Sequence, residues 1–499
     1  MISLMMGRLR WLLHWALPVF CCATSIPVSA QLFTDRTEAS STAVLGLYST
    51  GCSWGDYDGD GLLDLYVTNW GTATSSPVNS LFHNDGDNLF TDRSMDAGVA
   101  VRGNSSAAAF ADYDNDGAVD LYVADFYEQD RLFKNTSAST FTEVGRSQGL
   151  TDLERQGSVV SLAWGDYDND GFLDIYLGKY YFANDFYTNR GDGTFARVGD
   201  VGISDGRDAI DVSWFDYDND GDLDLYLVNR DQENRLYRND LSSSGAFSEV
   251  AGLLGVANDE IGQAAAWGDY DRDGDGDLYV GNVGANALYR NDSGENFVDV
   301  AAQAGVRTDE VGWFTADVAW SDLDGDGQLD LFLANGGDRR PQTDVVYLAT
   351  NDGNFRNATS EAGILQAETV SFRTDVAIAD YDGDGAPDIY ATDGRTYTEL
   401  PNGLFQNQTP GERFLSVKVR GRGGALGGSN ASGLGARMTL YDGAGAIFGR
   451  RHVADLAGVS FGVDPEQTYR LEVFFPATGE VVSREGLTAS DGLITITEP

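Results

Sequence analysis

Seven copies of a nine-residue string, Asp-x-Asp-x-Asp-Gly-x-x-Asp, recur at intervals of 50 to 58 residues along this chain of 499. Every carboxylate position is Asp in every copy. Carboxylates at positions 1, 3, 5 and 9, joined by the main-chain carbonyl at 7, approach the number of hard oxygen ligands that Ca²⁺ favours, and the Gly at 6 permits a sharp turn. The first set is Asp56, Asp58, Asp60 and Asp64 with Leu62, and the second is Asp112, Asp114, Asp116 and Asp120 with Ala118. The third is Asp166, Asp168, Asp170 and Asp174 with Phe172, and the fourth is Asp216, Asp218, Asp220 and Asp224 with Asp222. The fifth is Asp269, Asp271, Asp273 and Asp277 with Asp275, and the sixth is Asp322, Asp324, Asp326 and Asp330 with Gln328. The seventh is Asp380, Asp382, Asp384 and Asp388 with Ala386. Asp and Gly are also ordinary turn formers. Four like charges without a counter-ion repel, however, and seven such clusters are hard to read as turns alone. About seven Ca²⁺ ions, one per copy, are therefore expected. An EF-hand needs a twelve-residue loop ending in Glu between two helices. Here a strand-like run such as Leu63–Trp70 or Val119–Phe126 follows each string, so that reading fails.

The elements that must hold these loops repeat with them. A period in this range marks a repeat fold. In the third unit, strand patterns cover Val159–Trp164, Leu173–Lys179, Asp185–Thr188 and Thr194–Val198. Four antiparallel strands per unit, repeated radially, make a propeller blade, whereas solenoid coils are usually shorter. The seventh unit has strands at Asp388–Thr392 and Gly403–Gln406 but lacks a fourth before Pro410. Leu32-Phe33-Thr34-Asp35-Arg36 is repeated verbatim at residues 89–93, a fourth-strand position. The fold expected is all-β: a seven-bladed propeller, residues 31–410, whose last blade is closed by the N-terminal strand. The aromatics just before the loops (Trp54, Phe110, Trp164, Trp214, Trp267, Trp320) read as packing between sheets rather than ligand stacking. After Pro410 the composition shifts, and runs at Phe414–Val419, Arg437–Tyr441 and Tyr469–Phe475 predict a small β domain over 411–499.

Residues 1–30 read as a cleaved signal peptide: Arg8 and Arg10, an apolar stretch, then Val28-Ser29-Ala30. A secreted, extracellular or periplasmic product is expected, with no transmembrane segment in the mature chain. Cys52 is then the sole cysteine, at a position held elsewhere by Ala108, Leu162, Val212 or Ala265, so it reads as a buried apolar residue. The net charge of −45, with Lys only at 134, 179 and 418, disfavours nucleic acid and anionic membranes as partners. It suits an exterior rich in free cation. Six Asn-x-Ser/Thr sequons (Asn104, Asn135, Asn291, Asn357, Asn407, Asn430) carry little weight in so polar a repeat.

The loops with flanking strands of the type Phe110-Ala111-Asp112-Tyr113 resemble the FG-GAP or VCBS repeats of integrin α-subunit propellers. The tail, with Gly433-Leu434-Gly435-Ala436-Arg437 and Phe475-Pro476-Ala477-Thr478-Gly479, resembles the ASPIC/UnbV domain. The combination is similar to the cartilage acidic protein family and its bacterial relatives. Where that family shows Trp-Pro-Ser-Gly and His-Phe-Gly-Leu-Gly, this chain has Phe475–Gly479 and Ser460-Phe461-Gly462-Val463. The resemblance implies a calcium-stiffened extracellular recognition scaffold and names no ligand.

Catalysis lacks its groups. Only His83 and His452 lie outside the leader, His83 in a solvated strand position and His452 without a visible partner. No serine-hydrolase or zinc-hydrolase motif is present. A calcium-assisted lyase would need a proton acceptor, for which Lys179 beside Tyr180 is the one candidate. A binding face is the stronger expectation. Trp70, Phe126, Tyr127, Tyr180, Tyr181 and Phe182 open the loops between second and third strands, with Arg230, Arg339, Arg340 and Arg395 in later units. Aromatics and Arg dominate recognition hot spots. The function expected is an extracellular recognition or adhesion module for a protein or glycan ligand, not an enzyme. A carbohydrate-active enzyme and a surface-layer component are the alternatives.

Overall fold

Each acidic string forms the connection between the first two strands of a four-stranded antiparallel sheet. The computed structural model describes residues 31–44, 47–71, 77–137, 139–150, 158–199, 201–308, 313–336, 342–364, 372–394 and 401–499. Seven sheets of this one design are found there, none closed on itself. Sheet one consists of Tyr48–Gly55, Asp64–Trp70, Ser80–Gly86 and Leu89–Asp92. Sheets two to six begin at Ser105, Val159, Ala209, Ile261 and Thr315. Sheet three runs Val159–Gly165, Asp174–Lys179, Asp185–Asn189 and Phe195–Arg197, close to the strands expected. In sheet seven, Arg373–Ala379, Asp388–Asp393 and Gly403–Asn407 are joined by Phe33–Asp35 as fourth strand. Phe33 pairs with Asn407 and Asp35 with Phe405, which is the seam the duplicated pentapeptide predicts. Residues 1–30, read above as a leader, lie outside the described residues.

The packing explains the sequence pattern. First strands of successive sheets touch one another in order, and that of sheet seven touches that of sheet one. Second strands are buried almost throughout, as in Asp120–Asp125, so the run between their polar ends is apolar on both faces. The aromatics before loops one to six pack on the preceding sheet, Phe110 and Trp164 edge-on to Tyr66 and Tyr122 and the other four stacked. Trp54 lies 6.0 Å from Tyr381 at 7°, Trp267 4.9 Å from Phe215 at 6°, and Trp320 6.2 Å from Tyr270 at 12°. These are inter-sheet contacts, as the sequence suggested. Among the described residues, each fourth strand except that of sheet three is followed by a single helical turn, such as Ser94–Ala97, ended by a left-handed residue, here Gly98. This element has no periodicity to betray it.

Residues beyond 410 build two further sheets. One orders Val459–Gly462, Phe414–Arg420 and Leu493–Thr497; the other orders Ile447–His452, Arg437–Tyr441, Tyr469–Phe475 and Glu480–Leu487. Their apolar core is continuous with that of sheet three, through a single cluster that includes Leu173, Ile175, Leu415, Leu434 and Met438.

Candidate functional site

In the acidic loops, carboxylate oxygens from positions 1, 3 and 9 converge to within 4.8 Å of one another, as in Asp112–Asp114–Asp120 and Asp166–Asp168–Asp174. Backbone groups hold this arrangement. In loop two, the Gly117 N–H donates to Asp112 Oδ2 at 3.0 Å, and the Ala118 N–H to Asp116 Oδ1 at 2.9 Å. The position-9 carboxylate is gripped from both ends: Asp174 accepts the Tyr167 N–H at 3.3 Å and the Asn189 N–H at 2.7 Å. Position 5 stays on the exposed side in all seven loops. Several buried carboxylate oxygens have no protein partner: Asp114 Oδ1, Asp120 Oδ2, Asp216 Oδ1, both oxygens of Asp269, Asp324 Oδ1 and Asp380 Oδ1. A buried acceptor left without a donor is costly, and a cation meets that need directly. The donor set is all-oxygen and carboxylate-rich, so it fits Ca²⁺. Burial first, then neighbouring carboxylates, push Asp112 and Asp380 up to about 7 and Asp120 up to about 9. Such groups resist ionisation until a positive charge joins them.

The loops are also tied to each other. Asn189 on the third strand of sheet three donates to Tyr113 O of the preceding loop at 2.8 Å and to Leu173 O of its own at 3.2 Å. Asn84, Asn135, Asn239, Asn291 and Asn407 make the same stitch, while sheet six has Ala349 in that place. Sequence reasoning missed this role, although the Asn recurs in every third-strand string but one. Three of those residues, Asn135, Asn291 and Asn407, are sequon asparagines and are at most 3% exposed, so they cannot carry glycans in this fold.

The tail lies against this loop-bearing side. Arg437 Nη1 reaches Asp216 Oδ2 at 2.9 Å and Asn219 Oδ1 at 3.1 Å. The Gly462 N–H donates to Asp322 Oδ2 at 2.8 Å, and the Ala431 N–H to Asn115 Oδ1 at 2.6 Å. Gly171 (φ +87°) is so close to the tail that an added Cβ would sit 2.1 Å from Gly428 O. Loop one is open, with nothing near a Cβ on Gly59 or Gly61.

The other side carries the expected aromatics. Trp70 lies 5.0 Å from Phe126 and 5.7 Å from Tyr127; Phe126 lies 6.2 Å from Tyr180, and Tyr180 4.0 Å from Tyr181. The Arg230 guanidinium sits 5.1 Å over the Tyr180 ring and donates to its hydroxyl. Tyr127 and Tyr181 are each 66% exposed and Phe182 37%. Together with the first strands of all seven sheets, the arc from Trp70 to Arg230 encloses a cavity of about 850 Å³, with Phe182 outside its wall. Asp211, Asp317 and Asp375 face that cavity. Each carboxylate caps an N–H of the next sheet: Asp211 takes Ala265 at 3.0 Å, Asp317 takes Val376 at 2.8 Å and Asp375 takes Cys52 at 2.6 Å. Burial, then Asp317, pushes Asp211 up to about 7. Burial, then Asp375, raises Asp317. No sequence signal linked these three. Arg339, Arg340 and Arg395 lie outside the described residues.

Four readings change. Lys179 is buried and its ammonium is paired with Asp185, away from the cavity. His83 is not simply solvated: its Nε2 meets Asp58 at 2.9 Å and its Nδ1 meets Asp85 at 3.0 Å. His452 packs on Phe215 at 4.2 Å, and burial, then Arg437 and Arg450, hold it down at about 3, so it is neutral. Cys52 is only half-buried, at the cavity wall, and burial, then Asp375, raises its thiol.

An all-β chain of repeated four-stranded sheets, each led by an Asp-rich loop, defines a class of repeat protein. The FG-GAP-like repeat model matches residues 56–123, 112–177, 181–227, 216–280, 269–333 and 322–391, and the chain belongs to this family. It is related to cartilage acidic protein 1. The Xenopus tropicalis protein is 26% identical over 465 residues, covering 86% of this chain and 61% of the relative. The Homo sapiens protein is 27% identical over 274 residues, 51% of this chain and 39% of the relative. The chain thus spans under two thirds of the length of these relatives. Among solved structures, BBS1N in complex with ARL6DN aligns over 76% of this chain and 97% of that one (TM-score 0.46, 11% identity). YCF48 bound to D1 peptide aligns over 73% and 93% (TM-score 0.43, 11% identity). Among the described residues, no helix is long and apolar enough to cross a membrane.

Proposed function

We propose that the chain is a secreted, calcium-loaded recognition module, its seven sheets forming the blades of one closed β-propeller over residues 31–410 with a tail domain at 411–499. Each Asp quartet would hold one Ca²⁺, with positions 1, 3 and 9 as the inner ligands. Bound metal supplies the positive charge that lets these carboxylates ionise together, and it ties the first strand of a blade to the second. The role of the metal is structural. The relation to cartilage acidic protein 1 and the leader-like first thirty residues support export to the cell exterior. The recognition reading rests on one observation: the tail occupies the loop-bearing side, while the opposite side leaves Tyr127 and Tyr181 exposed over a cavity. Exposed contiguous aromatics on a rigid scaffold mark binding surfaces. Catalysis has no part in this reading, because Lys179, His83 and His452 are all engaged elsewhere. The test is retention of the mature protein on arrays of matrix proteins and glycans, in calcium and in EDTA. Calcium-dependent retention that a Tyr127→Ser, Tyr181→Asn variant loses is expected. Retention indifferent to both calcium and the variant would refute the reading.

A further inference from the structure

We propose that the aromatic-rimmed cavity takes a neutral oligosaccharide, its sugar rings stacked on the rim and its hydroxyls bonded to the wall beneath. This deepens the recognition reading and rests on it. The rim from Trp70 through Phe126 and Tyr127 to Tyr180 and Tyr181 is continuous, with neighbouring centroids 4.0 to 6.2 Å apart. Aromatic faces are electron-rich, so they attract the weakly positive C–H faces of a pyranose and leave its equatorial hydroxyls free at the edge. Tyr181 is held in a left-handed conformation (φ +71°), with its N–H on Asp208 Oδ1 at 2.7 Å. A non-glycine residue there is strained, and the bond to Asp208 helps hold the backbone in that conformation.

The wall below decides the chemistry. Asp211, Asp317 and Asp375 each commit an oxygen to a backbone N–H, which fixes their orientation. Burial, then Asp375, raises Asp317, and burial raises Asp375. Ser161, Gln263 and Thr374 line the same wall; Ser161 donates to Asp211 Oδ1 at 3.1 Å, Gln263 to Gly262 O at 2.6 Å and Thr374 to Ser49 O at 2.7 Å, so what they offer a ligand is their oxygens. Oxygen acceptors on a cavity wall suit the hydroxyl donors of a sugar. Anionic sugars meet three carboxyls on the described wall and are disfavoured there. Arg230, the one cationic side chain on the wall among the described residues, is turned onto Tyr180 rather than towards the floor. The volume, about 850 Å³, falls within the range of small-ligand sites.

The test uses the full mature chain in calcium, titrated calorimetrically with hexasaccharides of glucose, mannose and galactose. A galacturonate hexamer and an arginine-rich peptide serve as charged comparators. Saturable binding of at least one neutral hexasaccharide is expected, weakened about tenfold or more in Tyr127→Ser, Tyr181→Asn, a loss of about 1.4 kcal/mol. Both rings are exposed, so the variant keeps its melting temperature. Trp70→Phe should abolish the ligand-dependent change in tryptophan emission while calorimetric binding persists. Silence across the neutral panel, or preference for the galacturonate or the peptide, overturns the oligosaccharide. If the double variant nevertheless loses its retention on matrix proteins, the recognition side stands and only the ligand class falls. If the variant keeps both properties, the site itself falls.

Discussion

The two sides of the sheet array differ in how they use repetition. On the loop-bearing side the same nine residues recur seven times, and in every sheet the position-9 aspartate accepts an N–H from the third strand. On the other side, equivalent connections hold Trp70, Phe126-Tyr127, Tyr180-Tyr181 and Arg230 in the first four sheets but Gly284, Gly336 and Gly394 in the last three, so the large side chains fall on one arc. Uniformity belongs to a mechanical task that every sheet must perform. Divergence belongs to a surface that one asymmetric partner reads. The tail sharpens the contrast, because it docks on the uniform side through arginines and leaves the divergent side free.

The largest effect that could break this comparison is metal removal. An ion held at about a hundred times its dissociation constant contributes about 2.7 kcal/mol, so seven would exceed the stability of an ordinary domain. EDTA should therefore lower the melting temperature drastically, and an unchanged melting curve would remove the structural role of calcium. Acidity comes next, with opposite signs in the two states. In the metal-free protein, Asp112, Asp120 and Asp380 sit well above the ordinary carboxylate value near 4, so the native chain holds protons that the unfolded chain has lost. Stability without metal should then be greatest at low pH and fall as pH rises through about 7. In calcium the trend should reverse, because protons compete with the ion; parallel pH profiles of urea midpoints check this.

Third in size are single sites on the uniform side. Gly171→Ala combines left-handed strain of about 1–2 kcal/mol with a collision against Gly428 O, whereas Gly59→Ala carries the strain alone. Denaturant titrations in calcium should show Gly171→Ala costing at least twice as much; equal losses would mean that the tail yields freely. Asn189→Ala should cost about 1–3 kcal/mol by stranding two buried carbonyls. The smallest stability effect falls on the divergent side. Tyr127→Ser should move stability by no more than about 0.5 kcal/mol, yet it should weaken retention on any ligand of that surface.

The repeat was legible because its punctuation is chemical. Asp-Gly turns mark where first strands end, and a duplicated Leu-Phe-Thr-Asp-Arg identified the seam before any coordinates. The stitching asparagines were equally visible as letters, but their partners lie 72 to 84 residues away or further, in another sheet. Arg437 meets Asp216 across 221 positions, and Asp211, Asp317 and Asp375 gather in one cavity only because their sheets face a common centre. Pattern within a strand reports its own burial; it carries no record of which distant residue shares that burial. Lys179 shows the hazard, since adjacency to Tyr180 in sequence placed it on the open surface and strand alternation turned it inward to Asp185.

The pairing of Phe33 with Asn407 also imposes an order in time. A chain leaving the ribosome presents Phe33–Asp35 first and must wait for more than three hundred further residues before its partner strand exists. Throughout that delay an unpaired edge is available for wrong pairing, which makes slow, late completion and aggregation the natural failures of this architecture. The same delay works as a proofreading step: any product cut short before residue 403 lacks the partner strand and betrays itself by the edge it cannot cover.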